Sequence, residues 1–389
     1  MRIKSAQAWW VSIPIAAARQ HRSDFGTLTT FDSAILRIET EDGLVGWGEG
    51  KNAAGSAGHY GALVHLLNDE IAPQLIGRQA GDITAIWELL YNGVRAGQAA
   101  KAGHAMPGLS RRGLSIAAIS AVDIALWDIL GKHLNQPVWQ LLGGRKADRL
   151  PAYASGGWAD AANIGAQLQS YIDLGGFKAV KMRVGAMDGA AHISAARVQA
   201  ARAALGPDIE IAVDAHGTYT VAEAKRFAHV VADCDLAWFE EPVIADDKPG
   251  MAEVRAAATM PIAAGESEST RFAFRDLAMA RACDIFQPDP AYCGGITEAM
   301  RIASLASAFN LRYAPHLWAG APCFFAGLHT CAASPAAFTI EYSCGANPMI
   351  HDLIEGNIAA QDGMIAIPDG PGLGFSISEP FLKAHAKAV

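Results

Sequence analysis

Three carboxylates recur in this chain at one spacing: Asp214, Glu240 and Glu266 are separated by 26 residues each time. Each closes an apolar run, Ile211-Ala212-Val213, Leu236-Ala237-Trp238-Phe239 and Ile262-Ala263-Ala264-Gly265, so each reads as the end of a strand. Acids brought to one place repel and cannot all ionise unaided, and a hard divalent cation relieves that repulsion. All-oxygen ligation favours Mg²⁺ or Mn²⁺ over zinc. The sequence has no H-x-H pair and no HExxH, which counts against zinc-hydrolase chemistry.

Two further runs supply a base. Gln287-Pro288-Asp289-Pro290 and Ala314-Pro315-His316-Leu317-Trp318 end successive strands, which would bring Asp289 onto the His316 imidazole, fixing its tautomer and raising its basicity. Alternation along Lys181-Met182-Arg183 puts Lys181 and Arg183 on one face, the inside of a barrel, where a cationic pair suits a substrate carboxylate. His216, two residues past Asp214, faces the same mouth. Glu341, after Thr339-Ile340, adds a carboxyl expected to stay protonated and to donate to a developing oxyanion. His65, His133, His192, His229 and His385 read as structural.

The elements that must position these groups change character near residue 150. From there short apolar strands alternate with Ala-rich amphipathic helices, with strands expected at 151–154, 179–183, 209–214, 237–240, 262–265, 284–287, 312–316 and 339–342. Eight such units predict a parallel α/β barrel, whose active site lies at the carboxyl ends of the strands. An open doubly wound sheet is the alternative. Before residue 120, Ala34 to Glu39 and Val45 to Gly48 flank Asp42-Gly43 as a hairpin. Stretches 18–30, 51–59 and 97–110 read as loops, functional lids or mobile surface. The Gly-rich tail Ile367 to Gly374 does not join a strand to a helix, so it is no dinucleotide loop.

Composition sets outer bounds. The chain has 389 residues, 51% hydrophobic and 18% charged, with a formal net charge of −8, which excludes a disordered or fibrous protein. An acidic balance without a Lys/Arg block argues against nucleic acid or an anionic membrane as partner. No stretch approaches eighteen consecutive apolar residues, and the start lacks a clear signal peptide, so a cytoplasmic enzyme is the expectation. The six cysteines show no CxxC pair and read as reduced, mostly buried thiols.

Together, Lys181-Met182-Arg183, Asp214-Ala215-His216, Glu240-Glu241-Pro242, Gly265-Glu266, Asp289, His316 and Glu341 resemble the enolase superfamily, in its mandelate racemase subgroup. The resemblance covers nearly the whole chain: Ala121 to Asp128 with Leu141-Leu142-Gly143-Gly144 looks like the family's domain junction, and 367–374 like its C-terminal return. It implies a modified TIM barrel, (β/α)7β, at 126–360, an N-terminal α+β capping domain at 1–125 and a segment at 361–389 returning to the cap. It also implies that Asp214, Glu240 and Glu266 hold Mg²⁺, which chelates a carboxylate substrate while a base removes the α proton and the metal stabilises the enediolate. Lys181 and Glu341 would assist, and loops of the cap would select the substrate, with His21, Arg22, Lys51, Asn52 and His59 as candidate contacts.

Arg183 departs from the Lys-x-Lys pattern of many subgroup members. Arginine is a poor proton acceptor, which disfavours a two-base racemisation and leaves His316, paired with Asp289, as the base. Asp-x-His at 214–216 resembles acid-sugar dehydratases in which the histidine protonates the leaving hydroxyl. The expectation is therefore a sugar-acid dehydratase, most plainly an aldonate or aldarate lyase forming a 2-keto-3-deoxy acid, in a homo-oligomer. The rivals are a sugar-lactone cycloisomerase, which Arg112-Gly113-Leu114-Ser115 and the tail also resemble, a racemase or epimerase, and a non-catalytic binding protein.

Overall fold

The computed structural model describes the chain except residues 18, 19, 21, 24, 25, 53–57, 94–97, 99, 100, 104–110, 346 and 357. Strands β1 (Ile3–Pro14), β2 (Thr30–Thr40) and β3 (Val45–Gly50) form an antiparallel sheet in that order. β2 and β3 are the expected hairpin, paired from Ala34↔Gly50 to Glu39↔Val45. β1 was not legible from alternation because its buried positions are irregular, yet it pairs with β2 along its whole length. Within the stretch read as a loop, Arg22–Ser23 and Gly26–Thr27 pair as a short ribbon.

The long helix α2 (Leu114–Leu134) backs β2 and β3, helical turns at 61–75 lie against β1, and α1 (Ile83–Asn92) packs on α2. Glycines make the contact with β3 possible: a Cβ on Gly46 or Gly48 would overlap the backbone carbonyl oxygen of Ala125 or Ala121. By length and composition α2 could cross a membrane, but 78% of its most apolar window is buried inside the protein, as befits a core helix. Its Asp128 accepts from the Trp47 N–H at 3.0 Å, the Leu373 N–H at 2.9 Å and Lys132 at 2.7 Å, tying sheet, helix and tail together. The division expected between residues 125 and 126 therefore falls inside one continuous helix.

Among the described residues, eight parallel strands follow: β4 (Arg149–Gly156), β5 (Ala179–Arg183), β6 (Glu210–Asp214), β7 (Leu236–Glu240), β8 (Ile262–Ala264), β9 (Ile285–Phe286), β10 (Arg312–Tyr313) and β11 (Ile340–Ser343). They lie in the order β10-β9-β8-β7-β6-β5-β4-β11. The parallel bridge Tyr313↔Ala337, with the Tyr313 N–H donating to the Ala336 carbonyl at 2.9 Å, closes the ring between β10 and β11. The helices that follow the first seven strands are α3 (Ile164–Gly175), α4 (Ala191–Leu205), α5 (Val221–Val230), α6 (Lys248–Ala257), α7 (Thr270–Ala280), α8 (Gly295–Ala308) and α9 (Ala321–Ala333). The eighth strand has no such helix, so the expected (β/α)7β barrel is the fold.

Inside the ring, Tyr153, Ala212, Trp238, Ala263, Ile285 and Ala314 fill the floor beneath the strand ends. A larger apolar layer lies between strands and outer helices. The tail touches both layers: β12 (Met364–Ala366) pairs with the start of the barrel strand β4, and β13 (Ala386–Lys387) joins β1 through Trp10↔Lys387. All six cysteines are unpaired, and five of them are buried.

His329 on α9 locks this tail. The Trp139 N–H donates to its Nδ1 at 3.1 Å, so Nε2 carries the proton that reaches the Leu373 carbonyl at 3.1 Å. Burial pushes the imidazole down to about 4, because the charged ring would lose its water, and the Leu373 carbonyl offsets only part of that cost. The folded pKa lies below the unfolded one, so this stability is present above about pH 6.5 and is lost as pH falls toward 4, up to about 3 kcal/mol. In urea titrations, the gap in midpoint between wild type and H329Q should narrow from pH 7 to pH 5; an unchanged gap would refute the assignment.

Candidate active site

Strand register brings the chemistry to one level. Arg183 pairs with Asp214, and Asp214 with Glu240, so the ends of β5, β6 and β7 lie side by side. Lys181 pairs with Ser155 of β4, whose own Tyr153 pairs with Glu341 of β11. Consequently the buried Lys181 ammonium sits 2.6 Å from Glu240 Oε1, 3.1 Å from Glu341 Oε1 and 3.6 Å from Asp214 Oδ2. Burial alone would push Lys181 down, but the Glu240 and Glu341 charges outweigh it and hold the ammonium protonated.

One ammonium cannot neutralise this many acids. Burial, and then the charges of Asp214, Glu341 and Glu266, push Glu240 up to about 7 despite Lys181. Asp214 goes the other way: burial raises it, but the Arg183, His216 and Lys181 charges hold it well below the usual range. The Arg183 guanidinium touches both Asp214 Oδ2 and His216 Nε2. The Asp214 carboxylate also receives the His216 backbone N–H at 2.9 Å, in a turn where His216 has φ 46°.

Glu341 differs from the expectation of a neutral acid. Burial raises its pKa, yet the Lys181 and His316 charges and hydrogen bonds from the Leu317 N–H (2.7 Å) and Ser155 Oγ (2.7 Å) bring it down to about 2. Lys181 and Ser155 Oγ on Oε1 and the Leu317 N–H on Oε2 make it an acceptor in this arrangement, where its strand-end position suggested a proton donor.

The expected dyad forms. His316 Nδ1 is 2.9 Å from Asp289 Oδ2, and Nε2 faces Glu266 Oε2 at 3.4 Å. Asp289 also caps the short turn Pro290–Cys293 by accepting the Ala291 N–H at 2.8 Å, which fixes its direction. Burial opposes its ionisation, but the Lys51 charge and the His316 hydrogen bond hold it well below the usual carboxylate range.

Donor atoms of Asp214, His216 and Glu266 lie within 4.8 Å of one another, and Glu266 Oε2 is buried with no hydrogen-bond partner among the described residues. Such a group suits a cation. Glu240 stands beside it, accepting from Lys181, from Trp238 Nε1 at 3.1 Å and from Gln287 Nε2 at 2.7 Å. A carboxylate offers about four lone pairs, so three donors still leave room for a metal bond.

Several groups were missed in the sequence. Ser155, Gln287 and Trp238 lack the charge that drew attention to their neighbours, although Gln287 sits in the quoted strand end. Lys51 was expected as a substrate-selecting loop residue, but its ammonium is buried 3.1 Å from Asp289 Oδ2. His59 is exposed and packs edge-on to Trp10 at 5.5 Å between ring centroids, and Asn52 is half-buried. His21 and the Arg22 side chain lie outside the described residues.

A closed (β/α)7β barrel under an antiparallel cap, with strand-end acids, a lysine on the second strand and an Asp–His pair on the sixth and seventh, defines an enolase-type enzyme. The chain belongs to the mandelate racemase/muconate lactonizing enzyme family of that superfamily: residues 11–143 match its N-terminal domain and 163–381 the enolase C-terminal domain-like family. It is 34% identical over 390 residues to a D-galactarolactone cycloisomerase of Agrobacterium fabrum, covering 95% of this chain and 97% of that one. It is likewise 34% identical over 368 residues to a D-galactonate dehydratase of Ralstonia nicotianae, covering 91% of each. A racemase structure from Streptomyces coelicolor A3(2) with bound magnesium superposes at a TM-score of 0.85, with 30% identity over 99% of this chain and 100% of that one.

The charge balance is testable. K181M leaves Glu240 and Glu341 buried without their cation and should destabilise the fold by about 3–5 kcal/mol in urea unfolding, whereas K181M/E240Q should recover much of the loss. Equal instability of the single and double variants would show that Lys181 acts through packing alone.

Proposed function

We propose that the chain is a magnesium-dependent dehydratase of a sugar acid, an aldonate or aldarate, that removes the proton α to the carboxylate and expels the C3 hydroxyl. The observation that carries this reading is the convergence of two imidazoles on one carboxylate. His316 faces Glu266 at 3.4 Å, and a His216 nitrogen lies within 4.8 Å of the same group. Elimination of water needs a base and an acid at one centre, and Arg183 supplies no second lysine base.

His316, with Nδ1–H donated to Asp289, accepts the C2 proton at Nε2. As the C2–C3 double bond forms and the C3–O bond breaks, His216 acts as the general acid, and the leaving oxygen takes its proton and departs as water. The resulting enol tautomerises to a 2-keto-3-deoxy acid. Asp214, Glu240 and Glu266 would hold Mg²⁺, which supplies fixed positive charge against that building on the substrate carboxylate. Lys181 and Arg183 add charge of the same sign from β5. The reading implies a free small-molecule carboxylate as partner and a cytoplasmic homo-oligomer.

A second reading has support in the Asp214, His216 and Glu266 grouping itself, where His216 serves as a ligand or orients one. With His216 so engaged, a cycloisomerase, whose leaving group is a ring oxygen, or an epimerase becomes the better description.

Proton NMR in D₂O with Mg²⁺ and a panel of aldonates, aldarates and aldarolactones separates these. A 2-keto-3-deoxy product supports dehydration, and isomerisation without loss of water overturns it. H216N should lower dehydration by about 10²-fold or more while C2 proton exchange persists; full turnover in H216N would remove His216 from the acid role. Magnesium at about 100 times its Kd should raise unfolding free energy by about 2.7 kcal/mol, and D214N or E266Q should abolish that gain. No stabilisation in wild type would count against the metal.

A further inference from the structure

The end of β3 reaches from the cap into the barrel's proton-transfer pair. Glu49 is buried and accepts from Ser33 Oγ at 2.5 Å, the Gly320 N–H at 2.8 Å and the Cys323 N–H at 3.2 Å, so it holds the start of α9. Two residues on, the Lys51 N–H donates to the Ala291 carbonyl at 3.0 Å. The Lys51 Nζ is 3.1 Å from Asp289 Oδ2 and 3.5 Å from His316 Nδ1. One strand end thus grips both loops that carry the pair.

The result is a saturated Asp289. Its Oδ1 accepts from the Ala291 N–H (2.8 Å) and the Cys323 thiol (3.2 Å), while Oδ2 accepts from Lys51 (3.1 Å) and His316 Nδ1 (2.9 Å). Four donors leave the carboxylate one orientation. That orientation fixes a proton on His316 Nδ1 and leaves Nε2, 3.4 Å from Glu266 Oε2, as the nitrogen that can exchange one.

We propose that Lys51 is a positioning residue for the base: by fixing Asp289 Oδ2 it selects the working tautomer of His316, and because it comes from the cap it makes that tautomer depend on seating of the cap on the barrel. The inference rests on the reading of His316 as proton acceptor, and its test is independent of substrate.

In protein labelled with ¹⁵N-histidine, the His316 signals, identified by their loss in H316N, should show an Nδ1-protonated ring with a slowly exchanging proton. K51M should lose or broaden that proton signal, or move the nitrogen shifts toward the other tautomer, while circular dichroism stays native. K51R should restore the wild-type pattern. On whichever sugar acid wild type turns over, K51M should lower kcat about tenfold or more with KM changed less than about twofold. A wild-type imidazole spectrum in folded K51M overturns the proposal, as does a loss that falls on KM alone. If K51M does not fold, the same readings on K51Q decide. If wild type turns over no sugar acid, the proposed function fails while the tautomer measurement still judges Lys51.

Discussion

The architecture depends on one electrostatic problem: several carboxylates must be held ionisable, close together and away from water. Lys181 is the first part of the solution. Its ammonium is buried among Asp214, Glu240 and Glu341, on strands to either side of β5. Arg183 bears on Asp214 from the next inward position of the same strand. Even so, the negative charge is in excess, and Glu240 is driven up to about 7. A site built with surplus buried acid is one made to receive a cation, since removing water from charges without compensation is costly.

The barrel supplies the level at which these groups meet, and the cap supplies the boundary conditions. Alternate glycines on β3 let α2 lie against the sheet, and Asp128 then binds sheet, helix and tail through one buried carboxylate. An apolar joint that includes Phe31, Ile35, Trp47, Trp318 and Leu353 packs around the same region. Trp318 lies two residues beyond His316, so packing of the cap bears on the loop that carries the imidazole. Glu49 and Lys51 extend that control by hydrogen bonds. The cap is therefore part of the site's geometry as well as its cover.

Much of this was legible in the residues. The equal spacing of Asp214, Glu240 and Glu266 was informative because a barrel repeats one strand-helix unit, so a constant interval returns the chain to the same level. All eight strands were expected near their observed places. Strand ends differed by one to three residues: β9 and β10 are only two residues long, since Gln287 and His316 already belong to the loops that follow. β1 escaped because both of its faces mix buried and exposed positions. Glu341 stands at its expected strand end, but the ammonium it accepts from comes from a strand 160 residues earlier, which alternation along its own strand does not show.

The sequence by itself determined which residue types stand at strand ends, that an Asp–His pair and three acids would share a barrel mouth, and the family resemblance they carry. Only the tertiary structure decided charge state and alliance. Lys181 chose Glu240 and Glu341, Gln287 and Ser155 entered as neutral donors, and Lys51 left its expected role at a loop to hold Asp289. Periodicity reports which face of an element a side chain occupies. It carries no information about distances between side chains far apart in the chain, and electrostatic and hydrogen-bond energies depend on those distances.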